Sequence, residues 1–251
     1  MSGHSKWSTI KRQKGVADAR RGQLFTKLAR EIEIAAREGG GDPAVNFSLR
    51  LTIDKAKRAN MPKDNIERAI LRGTGELKGK AIEEINYEGY GPQGTALIVE
   101  VLTDNRNRAV SDVRGVFSRH GGNLGETGCV AWLFERKGYI SIVPQDDEAE
   151  ELALMAIDAG ADDVKVDEDL VEVFTRVEDL QRVREALTEA SISFTTAELS
   201  WIPKSMVQFD EKTTIKNMRL IDALEELDDV QQVYSNLEIS DKVMAVYEAA
   251  Q

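Results

Sequence analysis

The sequence predicts an α+β protein of three domains: an N-terminal three-helix domain plus two ferredoxin-like α/β domains, one inserted into the other. Three observations carry that expectation. Residues 18–75 repeat apolar side chains at helical spacing and are punctuated by glycine and proline. Beyond residue 81 short strands alternate with helices. The stretch 137–203 reads as one complete β-α-β-β-α-β unit, and the residues on either side of it supply the parts of a second. A chain of 251 residues is long enough for two or three cores.

Residues 1–17 lack helical periodicity and read as an extended arm. From Asp18 to Glu38, at about 100° per residue, Leu24, Phe25, Leu28, Ile32, Ala35 and Ala36 fall within one arc of about 120°. Lys27, Arg30 and Arg37 lie opposite, with Arg20 at the edge, and Glu31, Glu33 and Glu38 dilute that polar side. It reads either as an ordinary solvated face or as a cationic surface. Gly39-Gly40-Gly41 stops the helix, and Asp42-Pro43 is expected to open the next as N-cap and first-turn proline. The second helix should run to about Asn60, where Met61-Pro62 breaks it. The third should run from Lys63 to Arg72 and end at Gly73-Thr74-Gly75. Glu76 to Ala81 reads as a linker, which closes a first domain at residues 1–80.

IEEINYEGYG (82–91) and TALIVEVLTD (95–104) read as strands joined by a Gly-Pro turn. Asn105 to His120 reads as a helix with Val110, Val113, Val116 and Phe117 inward, and GCVAWLFER (128–136) as a strand. The inserted domain, 137–204, has strands at 137–144, 163–167, 170–175 and 193–203, with helices at 147–159 and 177–190. After it come a short strand at 207–210, a helix from Lys212 to Leu227 and a strand at 230–234. Joined to 81–136, residues 205–251 complete the discontinuous domain. The phrases ADDVKV and LDDVQQV fit a duplication without establishing one.

Charge is unevenly distributed. Residues 1–80 hold 18 Lys and Arg against 9 Asp and Glu, a net +9, whereas residues 81–251 carry a net -20. A basic head on an acidic body suits a polyanion bound in one orientation, head inward. No stretch approaches the roughly 20 apolar residues of a membrane span, and no apolar run follows the basic N-terminus as in a secretory signal. The single cysteine, Cys129, cannot form an intramolecular disulfide. A cytoplasmic protein without membrane contact is expected.

The residues offer little to catalysis. Cys129 sits in GCVAWLF and reads as a buried thiol, and with His4 and His120 it makes no metal-ligand spacing. Asp146-Asp147-Glu148 and Asp162-Asp163 read as capping and solvated acids. GGNLGETG (121–128) follows a helix rather than preceding one, which argues for a C-cap and strand entry over a phosphate loop. No catalytic residue, metal or cofactor is expected. Nucleic-acid contacts are expected from the arm, at Lys6, Trp7, Lys11, Arg12 and Lys14, with Ser5, Ser8 and Thr9 as hydroxyl donors. Arg20, Arg21, Lys27, Lys55, Lys57 and Arg58 extend this set through the helices. Segment 106–137, net +3, adds Arg106, Arg108, Arg114 and Arg119, of which Arg108 and Arg119 share a helix face.

Two long motifs add a resemblance. SGHSKWSTIKRQKG followed by ARRGQLFTKLAREI, and TDNRNRAVSDVRGVFSRHGGNLGETGCVAWLFERKG (103–138), resemble the YebC/PmpR family, with similarity running to about residue 240. The resemblance implies a helical domain and two α/β domains, one inserted in the other, and work in gene expression without catalysis. Family members are labelled probable transcriptional regulators that bind DNA. Others, including the mitochondrial translational activator of cytochrome oxidase, act on the ribosome, and some bacterial members help ribosomes through proline-rich stretches. The residues themselves show no clear helix-turn-helix or zinc motif. The inserted unit has RRM topology without an RNP-like aromatic pair and basic neighbours on its sheet. The expected partner is therefore nucleic acid, ribosomal RNA ahead of duplex DNA, with the ribosome as the assembly contacted and the protein a monomer. A metabolite sensor built on GGNLGE, by fold analogy, and an enzyme using acidic cleft residues are the competing readings.

Overall fold

Apolar spacing and glycine-proline punctuation give three N-terminal helices, α1 (Asp18–Gly39), α2 (Phe47–Arg58) and α3 (Lys63–Gly73). This computed structural model describes residues 18–144, 148–167 and 169–249. The arm residues Lys6, Trp7, Lys11, Arg12 and Lys14 lie outside the described residues, as does the side chain of Arg20. Leu28, Ile32, Ala35 and Ala36 of α1 meet Leu49, Ile53 and Ala56 of α2 and Ile66 and Ala69 of α3 in one buried cluster. The second helix starts four residues later than Pro43 suggests. Asp42 instead turns the chain, accepting the Ala44 amide on its side chain and the Val45 and Asn46 amides on its carbonyl. Asn46 then caps α2. Its Oδ1 accepts the Leu49 amide at 3.0 Å while its Nδ2 donates to the carbonyls of Ala35 and Gly40 at 2.7 Å. One buried amide thus ties the end of α1 to the start of α2, which a proline at the first turn cannot do.

α3 packs closely on α1 at Gly73. A Cβ there would overlap the Glu33 carbonyl oxygen and stand 2.7 Å from Ala36 Cβ. Gly73→Ala is expected to lower stability by about 1–3 kcal/mol through this overpacking. The measurement is a urea midpoint that falls with an unchanged slope.

The next elements build the first sheet. β1 (Glu83–Tyr90) and β2 (Ala96–Thr103) form a hairpin in continuous antiparallel register, from Glu83 opposite Thr103 to Tyr90 opposite Ala96. α4 (Arg106–Arg119) is capped by Asn105, whose side chain accepts the Arg108 amide. A two-residue strand, β3 (Asn123–Leu124), returns to β1.

The inserted elements follow: β4 (Phe134–Ile142), α5 (Ala149–Asp158), β5 (Asp163–Asp167), β6 (Leu170–Thr175), α6 (Leu180–Glu189) and β7 (Thr196–Pro203). Their sheet order is β5-β6-β4-β7, all antiparallel, which is the split βαβ arrangement. The chain then resumes with α7 (Glu211–Glu225), β8 (Val230–Ser235) and α8 (Asp241–Ala249). β8 pairs with β2, giving the first sheet the order β3-β1-β2-β8. Its two central strands come first in the chain, so this ferredoxin-like sheet is entered at its middle hairpin.

Leu97, Val99 and Val101 alternate along β2 and pack with Val113, Val116 and Phe117 of α4 and Met218, Ile221 and Leu224 of α7. The protein is thus α+β, with an N-terminal helical domain and two α/β domains, each with its own four-stranded sheet. Of the described residues, Leu133–Ser205 forms one compact unit, and 18–132 with 206–249 forms another.

Two further local expectations are corrected and one element is added. Residues 128–136 are not a strand of their own: Ala131–Leu133 is a 3-10 turn, and β4 runs unbroken from Phe134. Residues 207–210 make a single bridge, Val207 to Leu237, because the Val207 and Glu238 amides each find a carbonyl and no further ladder forms. The α8 helix is an addition to the expected elements. Tyr247 fastens it to α7 by donating to Asp222 at 2.7 Å. Among the described residues, no helix is long and apolar enough to cross a membrane.

Candidate nucleic-acid interface

Much of the polar side of α1 is engaged within the protein, although Arg37 and Glu38 stay exposed. Gln23 donates from Nε2 to the Glu226 carbonyl at 2.6 Å and to Asp228 Oδ1 at 3.1 Å. Lys27 donates to the Glu225 carbonyl at 2.6 Å. Both carbonyls lie at the C-terminal end of α7, where helix geometry leaves acceptors without partners and the dipole attracts a cation. Lys27 therefore acts as a C-terminal cap for α7. Further along α1, Ile34 is buried with Ile82 and Leu102. Ile34 lies off the main apolar stripe, and it is the sequence signal that α1 has a second buried side. Glu33 is also buried, and desolvation pushes its carboxyl above the usual range, opposed by Arg72, Arg37 and Arg30.

Arg30 reaches the centre of this contact. Its Nη1 lies 2.8 Å from Asp229 Oδ1 and donates to the carbonyls of Asp228 at 2.6 Å and Leu102 at 3.2 Å. Arg108 approaches Asp229 from α4, with Nη2 2.8 Å and Nε 3.2 Å from Oδ2. Thr103 donates to the same oxygen at 2.9 Å. Arg108 also pairs with Asp104 at 2.8 Å, and Lys80 reaches Asp104 at 3.2 Å. Hydrogen bonds from Arg108 and then Lys80 hold the Asp104 carboxyl below its ordinary value. Asp229 is 7 % exposed, so the acidic stretch that begins at Asp228-Asp229 is partly interior. Arg30, Asp104, Arg108, Asp228 and Asp229 line a cleft of about 550 Å³.

Of the expected contact residues, Lys27, Lys55 and Arg108 have partners within the protein, Lys55 in Glu31 at 3.0 Å. Arg21, Lys57 and Arg58 are exposed on α1 and α2, with Arg58 Nε also donating to the Asp54 carbonyl at 3.5 Å, and Arg106, Arg114 and Arg119 are exposed on α4. Arg108 and Arg119 share a helix face as the spacing predicts, but only Arg119 sits beyond the ion-pair network.

A site that periodicity did not disclose lies after α4. Glu88, on β1, is 5 % exposed, and its carboxylate accepts three amides: Gly128 at 2.7 Å, Val130 at 2.8 Å and Ala131 at 2.7 Å. The Glu88 carbonyl accepts a fourth, from Gly125, at 2.8 Å. Successive N–H groups curled about one anion form a nest, with Gly128 in the left-handed region at φ 89°. This is why 128–133 turns rather than extends. The nest aims the Cys129 carbonyl outward, where it accepts the Tyr90 hydroxyl at 2.8 Å and the Trp132 indole N–H at 3.0 Å. Trp132 remains 65 % exposed and Tyr90 36 %. The Cys129 thiol is partly buried, and burial with the nearby Glu88 charge raises its pKa, so it stays protonated. Among the described residues, no three His, Cys, Asp or Glu gather where they could hold a metal.

The inserted sheet does carry an aromatic pair. Tyr139 on β4 and Phe174 on β6 are register partners with ring centroids 5.7 Å apart, and Lys165 lies 5.1 Å from the Phe174 centroid. The sequence hid it because neither residue falls in an RNP-like motif. Both rings are buried, at 6 % and 2 % exposure, and offer no open face to a base.

Comparison with known proteins places the chain. Residues 5–76 match the model of the TACO1/YebC protein N-terminal domain, and residues 82–237 match that of the TACO1/YebC second and third domain. A probable transcriptional regulatory protein of Desulfosudis oleivorans is 56% identical over 97% of this chain and 99% of its own length. Its namesake in Rubrobacter xylanophilus is 57% identical over 98% of each. The crystal structure of a conserved hypothetical protein from Aquifex aeolicus superposes with a TM-score of 0.83 at 52% identity, over 89% of this chain and 93% of that one. With two adjoining models matched and more than half of the residues shared along nearly the whole length, the chain belongs to the TACO1/YebC family.

Proposed function

We propose that this protein regulates gene expression by binding nucleic acid, without catalysis, and that its target is the structured RNA of the ribosome. The observation that carries this reading is the separation of charge, +9 in the first 80 residues and -20 in the rest. The relatives' names, probable transcriptional regulatory proteins, support the regulatory part. Lys6, Trp7, Lys11, Arg12, Lys14, Arg20 and Arg21 form the contact end, joined by Lys57, Arg58, Arg106, Arg114 and Arg119. Four cations, hydroxyls and one indole in the first 15 residues suit irregular, partly single-stranded RNA, where phosphates give affinity and an open base gives a stacking face. The protein works as a cytoplasmic monomer. The relatives' names favour duplex DNA as the second reading.

Co-sedimentation with ribosomes through a sucrose cushion tests this, comparing the full chain with a deletion of residues 1–15 and adding duplex DNA as competitor. Pelleting that needs the arm and survives the duplex is expected. No pelleting, with tight duplex binding, would transfer the protein to transcription. Binding to neither would overturn the proposal. In the same system, Arg114→Ala with Arg119→Ala should lower the slope of log affinity against log salt by about 2, about 1 for each phosphate that an arginine no longer neutralises.

A further inference from the structure

We propose that the outer face of α5, in the inserted domain, is a docking surface for a lysine- and arginine-rich protein segment that carries an apolar side. Leu154 and Ile157 adjoin on that face, one helical turn apart, and stay 65 % and 52 % exposed. The helix is packed the wrong way round for one that serves only its own core. The residues it buries are the small Ala153 and Ala156, while these two large side chains face solvent. α6 of the same domain does the opposite: Leu180, Val183 and Leu187 are buried, and Arg182, Glu185 and Glu189 are exposed. Scattered exposed apolar residues are ordinary, but a helix that is apolar on both sides has a second surface to cover. Val166, on the β5 strand against which α5 packs, is 47 % exposed as well.

Charge identifies what covers this surface. Residues 137–204 hold 6 Lys and Arg against 17 Asp and Glu, a net -11. Around the apolar pair the bias is complete. Between residues 148 and 163 stand Glu148, Glu150, Glu151, Asp158, Asp162 and Asp163, all exposed, and no lysine or arginine. Glu150, Leu154 and Ile157 follow one another at helical spacing and make one stripe, with Glu151 and Asp158 on its flank. Cations from other elements are engaged: Arg182, whose guanidinium lies over Gly160 just beyond α5, pairs with Asp179 at 3.1 Å, and Lys165 lies over the Phe174 ring. A second copy of this chain would set one acidic face against another, and a nucleic acid would bring phosphates to carboxylates. A basic segment instead neutralises the acidic rim while its apolar side chains cover Leu154 and Ile157. Two apolar anchors make a small contact, of the weak and transient class. This surface stands apart from the arm and does not depend on the nucleic-acid reading.

The test is fluorescence anisotropy of the full chain with two labelled 18-residue peptides. One is a helix former with leucines on one side and lysines on the other. In the second, serines replace the leucines. The leucine peptide should bind more tightly than the serine peptide and weaken as salt rises. Leu154→Ala with Ile157→Ala should weaken the leucine peptide about tenfold. Val45→Ala, at an exposed site of the helical domain, should leave it unchanged. Glu150→Lys with Asp158→Lys keeps the apolar pair and should also weaken the peptide about tenfold at low salt. All these side chains are exposed, so the variants should keep the parent's urea midpoint. Unchanged affinity in the double alanine variant would overturn the proposal, as would equal binding of the two peptides or binding of neither. So would a concentration-dependent dimer in sedimentation velocity that the double alanine variant abolishes, since the occupant would then be a second copy.

Discussion

Asp229→Ala is expected to destabilise the protein by about 3 kcal/mol, the lower end of what removing one partner of a buried ion pair costs. The carboxylate is the shared acceptor for Arg30, Arg108 and Thr103, and its own side chain is 9% exposed. Without it two guanidiniums face each other with no anion between them. Arg30, at 18%, has little water to turn to, whereas Arg108, at 44%, can rehydrate and keeps Asp104. That asymmetry puts the effect at the lower end. Asp229→Asn, which retains an oxygen for Thr103 and one arginine, should cost less. Urea denaturation measures both. A loss under about 1 kcal/mol for the alanine variant would assign the network to the class of exposed pairs that contribute almost nothing. A double-mutant cycle of Arg30→Ala with Asp229→Ala should return a coupling of about 1–3 kcal/mol, because the two sites touch.

This network explains which parts of the molecule could be read in advance. Leu28, Ile32 and Ala36 announce the inward stripe of α1 because helical periodicity is a local signal. Lys27 and Arg30 are as polar as any solvated side chain, and only their partners, two hundred residues away, reveal them as docking groups. Ile34 is the one local hint. The inserted β-α-β-β-α-β unit was legible because each strand and helix is bounded by its own turn residues and the unit closes on itself. The discontinuous domain was legible as a remainder, yet its short pieces were not: Val207 bridges once, and 128–133 curls about an anion. Apolar residues in GCVAWLF look like a strand because alternation cannot show that Glu88, forty residues earlier, draws the amides to one point. Asp42-Pro43 misled for a related reason. Its propensity for a helix start is real, but the Asn46 side chain satisfies two carbonyls and an amide at once. In the candidate interface, spacing located cations on α2 and α4 but could not tell those engaged by carboxylates from those facing solvent.

The Glu88 nest gives the other large effect. Glu88→Ala should destabilise by about 2–4 kcal/mol, since each amide left unsatisfied in the interior costs roughly 1–3 kcal/mol and hydrogen bonds to a charged acceptor are the stronger kind. The three amides do not contribute equally. Val130 is fully buried and its N–H has no water to replace the carboxylate. Gly128 is exposed and can hydrate, and Ala131 is half-buried. Most of the loss therefore comes from the Val130 and Ala131 bonds, which share Oε2. Glu88→Gln leaves one neutral oxygen able to take that pair and should lose about half as much, with Gly128 left to solvent. The glutamine variant should keep the 128–133 turn in place, whereas in the alanine variant that turn loosens. Urea midpoints, run on the two variants at an unchanged slope, read both losses. An alanine variant as stable as the parent would mean that the amides find water without the carboxylate.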